Sequence, residues 1–284
     1  MSGDETTPAP GPGTAGSRTG GSPGGAHRGD DDDHSFRALL RSLRAGMGEL
    51  PPFDAEQAPP EPLPLFRRWL REAAEAGAPE PHTMTLATAD AAGRPSLRTV
   101  MLHDADGSGW HFATHRTSRK GRELAERPWA SLGFYWAVLG RQVRVSGPVT
   151  AASPEESAAD LRRRSPAALV AALVGRQSEV LDSRRELADA FREARARAER
   201  EPETAAATWT LYVLEPEEVE FYQGDPDRQH VRLRYRRHPG TTDPDVTGRT
   251  DDTVPPTRSG ASTRDHGTGD GPAGIRWHRE LLWP

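Results

Sequence analysis

Apolar side chains alternate with other residues from Met84 to Val145, and this period-two pattern limits the fold more than any other feature of the chain. The alternating pairs are Met84 and Leu86, Val100 and Leu102, Trp110 and Phe112, Leu132 and Phe134, and Val143 and Val145. Gly, Asp and Pro residues separate these pairs, which is typical of turns between antiparallel strands. The sequence therefore predicts a meander of antiparallel strands that buries one face and closes into a barrel.

Strand patterns return near the C-terminus, at residues 208–214, 219–222, 228–236 and 275–282. Helical spacing predicts two amphipathic helices, around Phe36 to Leu43 and Leu63 to Ala73, separated by a Pro-rich turn. Further helices are predicted at residues 118–127 with Ser118 as N-cap, after the capping box at 153–156, and at 166–176 and 182–200. The fold class is therefore α+β, an antiparallel, Greek-key-like barrel with surrounding helices.

Two segments have a composition that cannot form a core. Residues 1–33 and 238–274 hold much of the chain's 28 Gly and 26 Pro, together with Ser, Thr and Asp. Such segments bury too little apolar area to offset the entropy lost on ordering. We expect a disordered N-terminal tail at 1–33 and a single domain at 34–284, interrupted by a disordered insertion at about 238–274.

Composition also excludes several functional classes. The chain has no cysteine, which excludes disulfides, thiolate catalysis and cysteine-bound metal sites. A net charge of −5 argues against a general nucleic-acid surface. No apolar signal region and no run of 18 apolar residues is present, so we expect a cytoplasmic protein. A zinc hydrolase is the weakest hypothesis and no metal site is predicted, because the His residues lack a His-Glu-x-x-His spacing.

Arg119 and Lys120 occupy the first turn of a predicted helix, where cations oppose the helix dipole at a cost of a few tenths of a kcal/mol. Backbone N–H groups at a helix start, joined by Arg and Lys side chains, form a phosphate site. Arg98, which opens an apolar strand, is a candidate third cation. The alternative is a solvated basic surface turn.

A second polar group follows Tyr222. In an extended strand, Arg228, His230 and Arg232 share one face by the period of two. Three cationic or protonatable groups on one face are unfavourable unless a partner lies beside them. The spacing fits a binding site for an anion or a flavin edge, and it also fits an exposed edge strand whose charges deter pairing.

In order and spacing, these motifs resemble the pyridoxamine 5'-phosphate oxidase family of FMN-dependent oxidases, from about residue 36 to the C-terminus. The motifs are Arg98-Thr-Val-Met-Leu-His103, Thr114, Ser118-Arg119-Lys120, Arg141-Gln142-Val143, Gln177-Ser178, Glu220-Phe-Tyr-Gln-Gly224 and Arg228-Gln-His230-Val-Arg232. The resemblance implies an FMN-binding split β-barrel. Segments such as Phe112-Ala-Thr-His115 and Pro128-Trp-Ala-Ser131 are also similar to the flavin oxidase branch of phenazine biosynthesis.

The resemblance also implies a role for individual residues. FMN contacts are implied for Arg98, Thr99, Val100, Met101, Leu102, His103, Thr114, Ser118, Arg119, Lys120, Gln142, Gln177, Ser178, Tyr222 and Arg232. Arg228 and His230 are implied to be catalytic and, with His103 and Arg164, to bind substrate; as a hypothesis, His230 accepts a proton near neutral pH. In the family the Gln177-Ser178 pair comes from the other subunit, which implies an obligate homodimer with FMN at its interface.

One part of the family pattern is altered. The family binds its substrate phosphate with Lys, Tyr, Arg and Ser, and this chain has His103, Asp160, Arg164 and Ala168 at those places. A carboxylate in contact with one phosphate charge costs ~4 kcal/mol at an effective dielectric constant near 20. Three functions therefore stay open. They are oxidation of pyridoxine or pyridoxamine 5'-phosphate to pyridoxal 5'-phosphate with O2 giving H2O2, oxidation of a phenazine-type secondary metabolite, and flavin binding without catalysis.

Overall fold

The structure is a computed structural model that describes residues 28–43, 50–201, 206–238 and 276–284. The helices are α1 (Arg28–Ser42), α2 (Pro62–Glu75), α3 (Arg119–Glu126), α4 (Pro154–Arg162), α5 (Pro166–Val174) and α6 (Arg184–Arg200). The strands are β1 (Thr83–Ala89), β2 (Pro95–Met101), β3 (Asp104–Asp106), β4 (Gly109–His115), β5 (Trp129–Trp136), β6 (Arg141–Ala151), β7 (Trp209–Leu214), β8 (Glu218–Gln223), β9 (Val231–Arg237) and β10 (Trp277–Leu281). Helix α1 belongs to a separate compact unit from the barrel.

All strand pairs are antiparallel, and one long strand joins two arms of the sheet. The first arm runs β10-β9-β8-β6-β5-β1-β2, and the second continues from β6 through β7 and β4 to β3. Strand β6 pairs with β8 over residues 141–146 and with β7 over residues 149–151. Between these stretches, a Cβ at Gly147 would collide with the carbonyl oxygen of Glu215. Glycine therefore permits the close approach at which the sheet curls toward a barrel.

Helix α2 supplies the centre of the core. Leu65, Phe66 and Trp69 are fully buried, since Pro at the start of the helix and apolar residues at i, i+3 and i+4 turn one face inward. The Phe66 ring contacts the Phe134 ring on β5 at a centroid distance of 5.0 Å, and the Trp69 ring contacts Phe221 on β8 at 5.2 Å. These contacts fix the helix against the inward-facing side chains of the sheet.

The structure confirms the α+β class and the predicted order of helices and strands. It adds β3, which is too short for a period-two pattern to identify. Helix α1 begins at Arg28, so it includes the last six residues of the predicted N-terminal tail. Residues 1–27 of that tail and 239–274 of the predicted insertion lie outside the described residues. At the base of the insertion, the His238 N–H donates to the Arg276 carbonyl at 2.9 Å.

The prediction that Arg228, His230 and Arg232 share one strand face is wrong. Strand β9 begins at Val231, and Arg228 has a positive φ of 62° in the preceding turn. The Asp225 side chain accepts hydrogen bonds from the backbone N–H groups of Asp227 at 2.8 Å and Gln229 at 3.2 Å. These bonds hold the chain in a turn, which delays the start of the strand.

Among the described residues, no helix combines the length and the apolar character needed to cross a membrane.

Candidate functional site

A cavity of about 500 Å³ lies along β2, at the end of the first arm of the sheet. Residues 96–101, His103, Ala113, Thr114, Arg119, Lys120, Gln177, Ser178 and Trp209 line it. Within the described part of the chain, β2 pairs only with β1, so backbone groups along its outer edge are not used by the sheet. The cavity therefore combines side chains of several elements with free backbone donors and acceptors.

One end of the cavity is cationic and lies at the start of α3. The Ser118 hydroxyl caps the helix by accepting the Gly121 N–H at 3.3 Å, which turns Arg119 and Lys120 into the first helical turn. The Lys120 Nζ donates to Gln177 Oε1 at 2.6 Å, and the Thr114 hydroxyl donates to the same oxygen at 3.0 Å. These bonds place Thr114, Lys120 and Gln177 of the same chain together.

Glu123, in the second turn of α3, organises the cations at this end. Its carboxylate accepts from Arg98 Nη2 at 3.2 Å and Arg119 Nε at 2.8 Å, and its side chain is only 5% exposed. The hydroxyls of Thr88 and Ser96 complete its hydrogen bonds. Burial alone raises the pKa of Glu123, but these four donors lower it to about 2. Three cations and one carboxylate leave a net charge of about +2 when Lys120 is protonated, which matches a phosphate dianion.

Lys120 is the cation whose charge responds to pH. Burial, followed by the nearby charge of Arg98, lowers the pKa of Lys120 to about 8, although Glu123 acts in the opposite direction. An anionic ligand beside the ammonium group favours its charged form and raises that pKa. Lys120 therefore takes up a proton when such a ligand binds above pH 8.

At the other end of the cavity, Asp160 of α4 holds three side chains. Its Oδ1 lies 2.9 Å from His103 Nδ1 and 2.7 Å from Arg164 Nη2, and its Oδ2 accepts from Trp209 Nε1 at 3.3 Å. The rings of His103 and Trp209 are stacked with centroids 6.4 Å apart. Of this group, only His103 and Trp209 line the cavity. Ala168, in the first turn of α5, contributes no polar side chain.

Gln142, Tyr222 and Arg232 form a second group, in register across β6, β8 and β9. None of the three lines the cavity, and β5 and β1 separate β6 from β2. Glu220 orients Arg232 by accepting from its Nε at 2.9 Å. The Tyr222 ring lies 5.1 Å from the His230 ring, so the turn before β9 adjoins this row. The predicted site residues therefore form two separate groups in one chain.

The hydrogen bond of His230 bears on its implied role. Its Nδ1 accepts the Asp225 N–H at 3.0 Å. In the neutral imidazole the remaining proton then lies on Nε2. This geometry makes His230 a hydrogen-bond donor at Nε2, in contrast to the hypothesis that it accepts a proton.

Gln177 and Ser178 differ from the expectation that they reach across a subunit interface. Helix α5 ends at Val174 with Gly175 as its C-cap, and the following turn carries Ser178 at a positive φ of 76°. Within the same chain, Gln177 contacts Lys120, and the Ser178 hydroxyl accepts the Arg119 N–H at 3.2 Å. Both residues therefore belong to the cavity of their own chain.

Sequence reasoning did not identify Glu123 or Trp209. Glu123 lies four residues after Arg119 on a helix, a spacing that brings opposite charges together and is visible in the sequence. Trp209 begins a strand and has no local signal, because its partners His103 and Asp160 come from distant parts of the chain.

Comparisons with known proteins place the chain in one family. The family described as "Pyridoxamine 5'-phosphate oxidase" matches residues 70–198, and the "Pyridoxine 5'-phosphate oxidase C-terminal dimerisation region" matches residues 209–284. A pyridoxine/pyridoxamine 5'-phosphate oxidase of Paraburkholderia phymatum is 44% identical over 203 residues, covering 72% of this chain and 95% of that protein. A protein of the same name from Salinibacter ruber is 44% identical over 178 residues, or 62% and 83% of the two chains.

Two solved structures are similar. PhzG from Burkholderia lata 383, in complex with tetrahydrophenazine-1-carboxylic acid, aligns with a TM-score of 0.66 and 30% identity, covering 84% of this chain and 100% of that one. A pyridoxamine 5'-phosphate oxidase-related, FMN binding protein from Nostoc punctiforme has a TM-score of 0.53 at 19% identity, with 77% and 97% of the chains covered. The second likeness concerns the fold alone.

We predict that Glu123→Gln destabilises the ligand-free protein by about 2 kcal/mol, because two guanidinium groups lose their buried counter-charge. The free energy of unfolding would be measured with urea. Glu126→Gln, at an exposed position of the same helix, is the matched control. A loss below about 0.5 kcal/mol in Glu123→Gln, on the scale of an ordinary surface substitution, would contradict the organising role of this carboxylate.

Proposed function

The chain belongs to the pyridoxamine 5'-phosphate oxidase family of FMN-dependent oxidoreductases, and on this basis we propose that it oxidises a small reduced substrate and passes the electrons to O2 as H2O2. The observation that carries the proposal is the cationic end of the cavity. Arg98, Arg119 and Lys120 meet there at a capped helix start. Both the charge and the donors suit the phosphate of FMN.

The residues of the cavity fit the rest of the cofactor as well. Gln177, Ser178 and Thr114 offer polar contacts beside the phosphate site, and the free edge of β2 offers backbone groups from residues 96–101. Gln142, Tyr222 and Arg232 would contact the flavin ring, the Gln amide because it both donates and accepts. When bound, FMN supplies the redox chemistry, by accepting a hydride from the substrate and reducing O2.

The separation of the two groups supports a homodimer with FMN at its interface. Gln142, Tyr222 and Arg232 do not line the cavity of their own chain, and Tyr222 and Arg232 fall in the match to the dimerisation region. On the outward face of the sheet, Leu97 and Met101 of the cavity and Tyr135, which pairs with Gln142, are exposed by 68, 47 and 69%. Burying such apolar side chains stabilises association. We infer that one chain provides the cavity and its partner provides the second group.

For the substrate, two candidates each have support. The names of the 44% identical relatives favour pyridoxine or pyridoxamine 5'-phosphate. The PhzG structure, which holds a tetrahydrophenazine-1-carboxylic acid, favours a phenazine-type intermediate. Arg228 and His230 would bind the substrate in either case, since both lie in the turn before β9 and the His230 ring adjoins Tyr222. His230 would donate a hydrogen bond through Nε2 and keep the substrate oriented.

FMN affinity should fall as pH rises above about 8, by up to about tenfold for each pH unit. The lowered pKa of Lys120 is the cause, because binding then requires protonation of this side chain while the FMN phosphate stays dianionic. Titration of the apoprotein, followed by quenching of FMN fluorescence, measures this dependence. Lys120→Met should bind FMN more weakly and lose the dependence. A wild-type affinity that stays constant between about pH 7 and 9 would contradict the assignment of Lys120.

The oxidase proposal is tested by anaerobic mixing of the FMN-loaded protein with three donors: pyridoxine 5'-phosphate, pyridoxamine 5'-phosphate and tetrahydrophenazine-1-carboxylic acid. At least one donor should bleach the flavin absorbance, and admission of O2 should restore the absorbance and release H2O2. Arg228→Ala should retain FMN and be reduced at least tenfold more slowly, whereas Arg236→Ala, exposed on β9, should match wild type.

Two results would contradict the oxidase proposal. A protein that retains no FMN would exclude an FMN-dependent oxidase. A protein that binds FMN but is reduced by none of the three donors would favour the third hypothesis, a flavin-binding protein without catalysis.

A further inference from the structure

We propose that Asp160 makes its end of the cavity select a planar ring substrate that carries no phosphate group. This inference rests on the proposed oxidase function and deepens it, because it chooses between the two substrate candidates. The structural basis is the cluster of His103, Asp160, Arg164 and Trp209, which we call the Asp160 cluster.

Asp160 holds an aromatic wall in place. Its side chain is 10% exposed and does not itself line the cavity, but it binds both residues that do. One carboxylate oxygen meets His103 at 2.9 Å, and the other accepts from the Trp209 indole at 3.3 Å. The planes of the two rings lie 25° apart. Both rings line this end of the cavity and form its aromatic wall, with which an aromatic ligand can make stacked or edge-to-face contacts.

The charge of the Asp160 cluster does not suit a phosphate dianion. The ion pair of Asp160 with Arg164, at 2.7 Å, cancels the one permanent positive charge. His103 adds a charge only when it is protonated, so the cluster carries between 0 and +1. The opposite end of the same cavity carries about +2 and has the donors of a helix start. A dianionic group is therefore favoured at the α3 end and disfavoured at the Asp160 cluster.

Asp160 stays ionised at any ordinary working pH. Burial raises the pKa of this carboxyl, but hydrogen bonds from His103 and Arg164 outweigh burial and lower the pKa to about 2. A phosphate ligand at this end of the cavity is thus repelled by the fixed negative charge of Asp160. One N–H of Arg164 already donates to that carboxylate and is not available to the ligand. A neutral or singly charged ring compound avoids most of this repulsion and keeps the contact with the aromatic wall.

The experiment is calorimetric titration of the FMN-loaded protein with two ligands, pyridoxine 5'-phosphate and phenazine-1-carboxylate. Wild type should bind phenazine-1-carboxylate at least tenfold more tightly than pyridoxine 5'-phosphate. Asp160→Asn, which keeps the shape and removes the charge, should tighten the binding of pyridoxine 5'-phosphate at least tenfold. Asp104→Asn is the matched control, because Asp104 follows His103 in the chain but is exposed, and it should change either affinity less than twofold.

A second variant keeps the test decisive if Asp160→Asn folds poorly. His103→Lys combined with Asp160→Tyr replaces the carboxylate and adds a permanent cation, and it should also tighten pyridoxine 5'-phosphate at least tenfold. The inference would be overturned by a wild type that binds pyridoxine 5'-phosphate as tightly as these variants do.

Different measurements test the oxidase function and the role of Asp160. FMN content, measured by absorbance before each titration, tests the oxidase proposal alone. If the wild type holds FMN but binds pyridoxine 5'-phosphate as tightly as the Asp160 variants do, this inference fails and the oxidase proposal stands.

Discussion

The buried carboxylate of Glu123 determines the charge and the shape of the candidate cofactor site. It joins Thr88 on β1, Ser96 and Arg98 on β2, and Arg119 on α3, so that three elements meet at one acceptor. Without a carboxylate there, neighbouring cations would repel each other in a half-buried site. With it, two guanidinium groups and Lys120 point at a common region with a net charge near +2.

Both ends of the cavity contain a buried carboxylate paired with arginine, but the two ends differ in net charge. At each end a buried carboxylate pairs with arginine, but Glu123 leaves an excess of cations and Asp160 leaves almost none. Because the net charge differs by one to two units over a single cavity, the orientation of a ligand with one phosphate is set by electrostatics. The α3 end keeps the cations of the family pattern, whereas the Asp160 cluster departs from that pattern. The two ends differ physically in how many cations Glu123 and Asp160 each neutralise.

The sequence predicted the strands and helices because their patterns are local: alternation in β1, β5 and β6, the capping box of α4 and the N-cap at Ser118. The resemblance carried by their order in the chain also brought Arg98, Arg119 and Lys120 together, and the structure places them in one cavity; that they bind FMN stays a prediction. Sequence reasoning failed where distant side chains decide the structure. The turn held by Asp225 makes β9 start later than predicted, and Gln177 contacts Lys120 of its own chain. Trp209 stacks with His103, which lies far away in the sequence, so no local pattern predicts this contact.

In the proposed homodimer, one FMN site combines the cavity of one chain with the second group, Gln142, Tyr222 and Arg232, of its partner. The most direct test pairs a variant with a defective cavity, Arg98→Ala with Lys120→Ala, and a variant with a defective row, Tyr222→Ala with Arg232→Ala. Each variant alone should retain little FMN. Heterodimers isolated with two affinity tags should regain one FMN per dimer, because one of their two sites has both intact halves. Heterodimers that remain without FMN would contradict a site shared between chains.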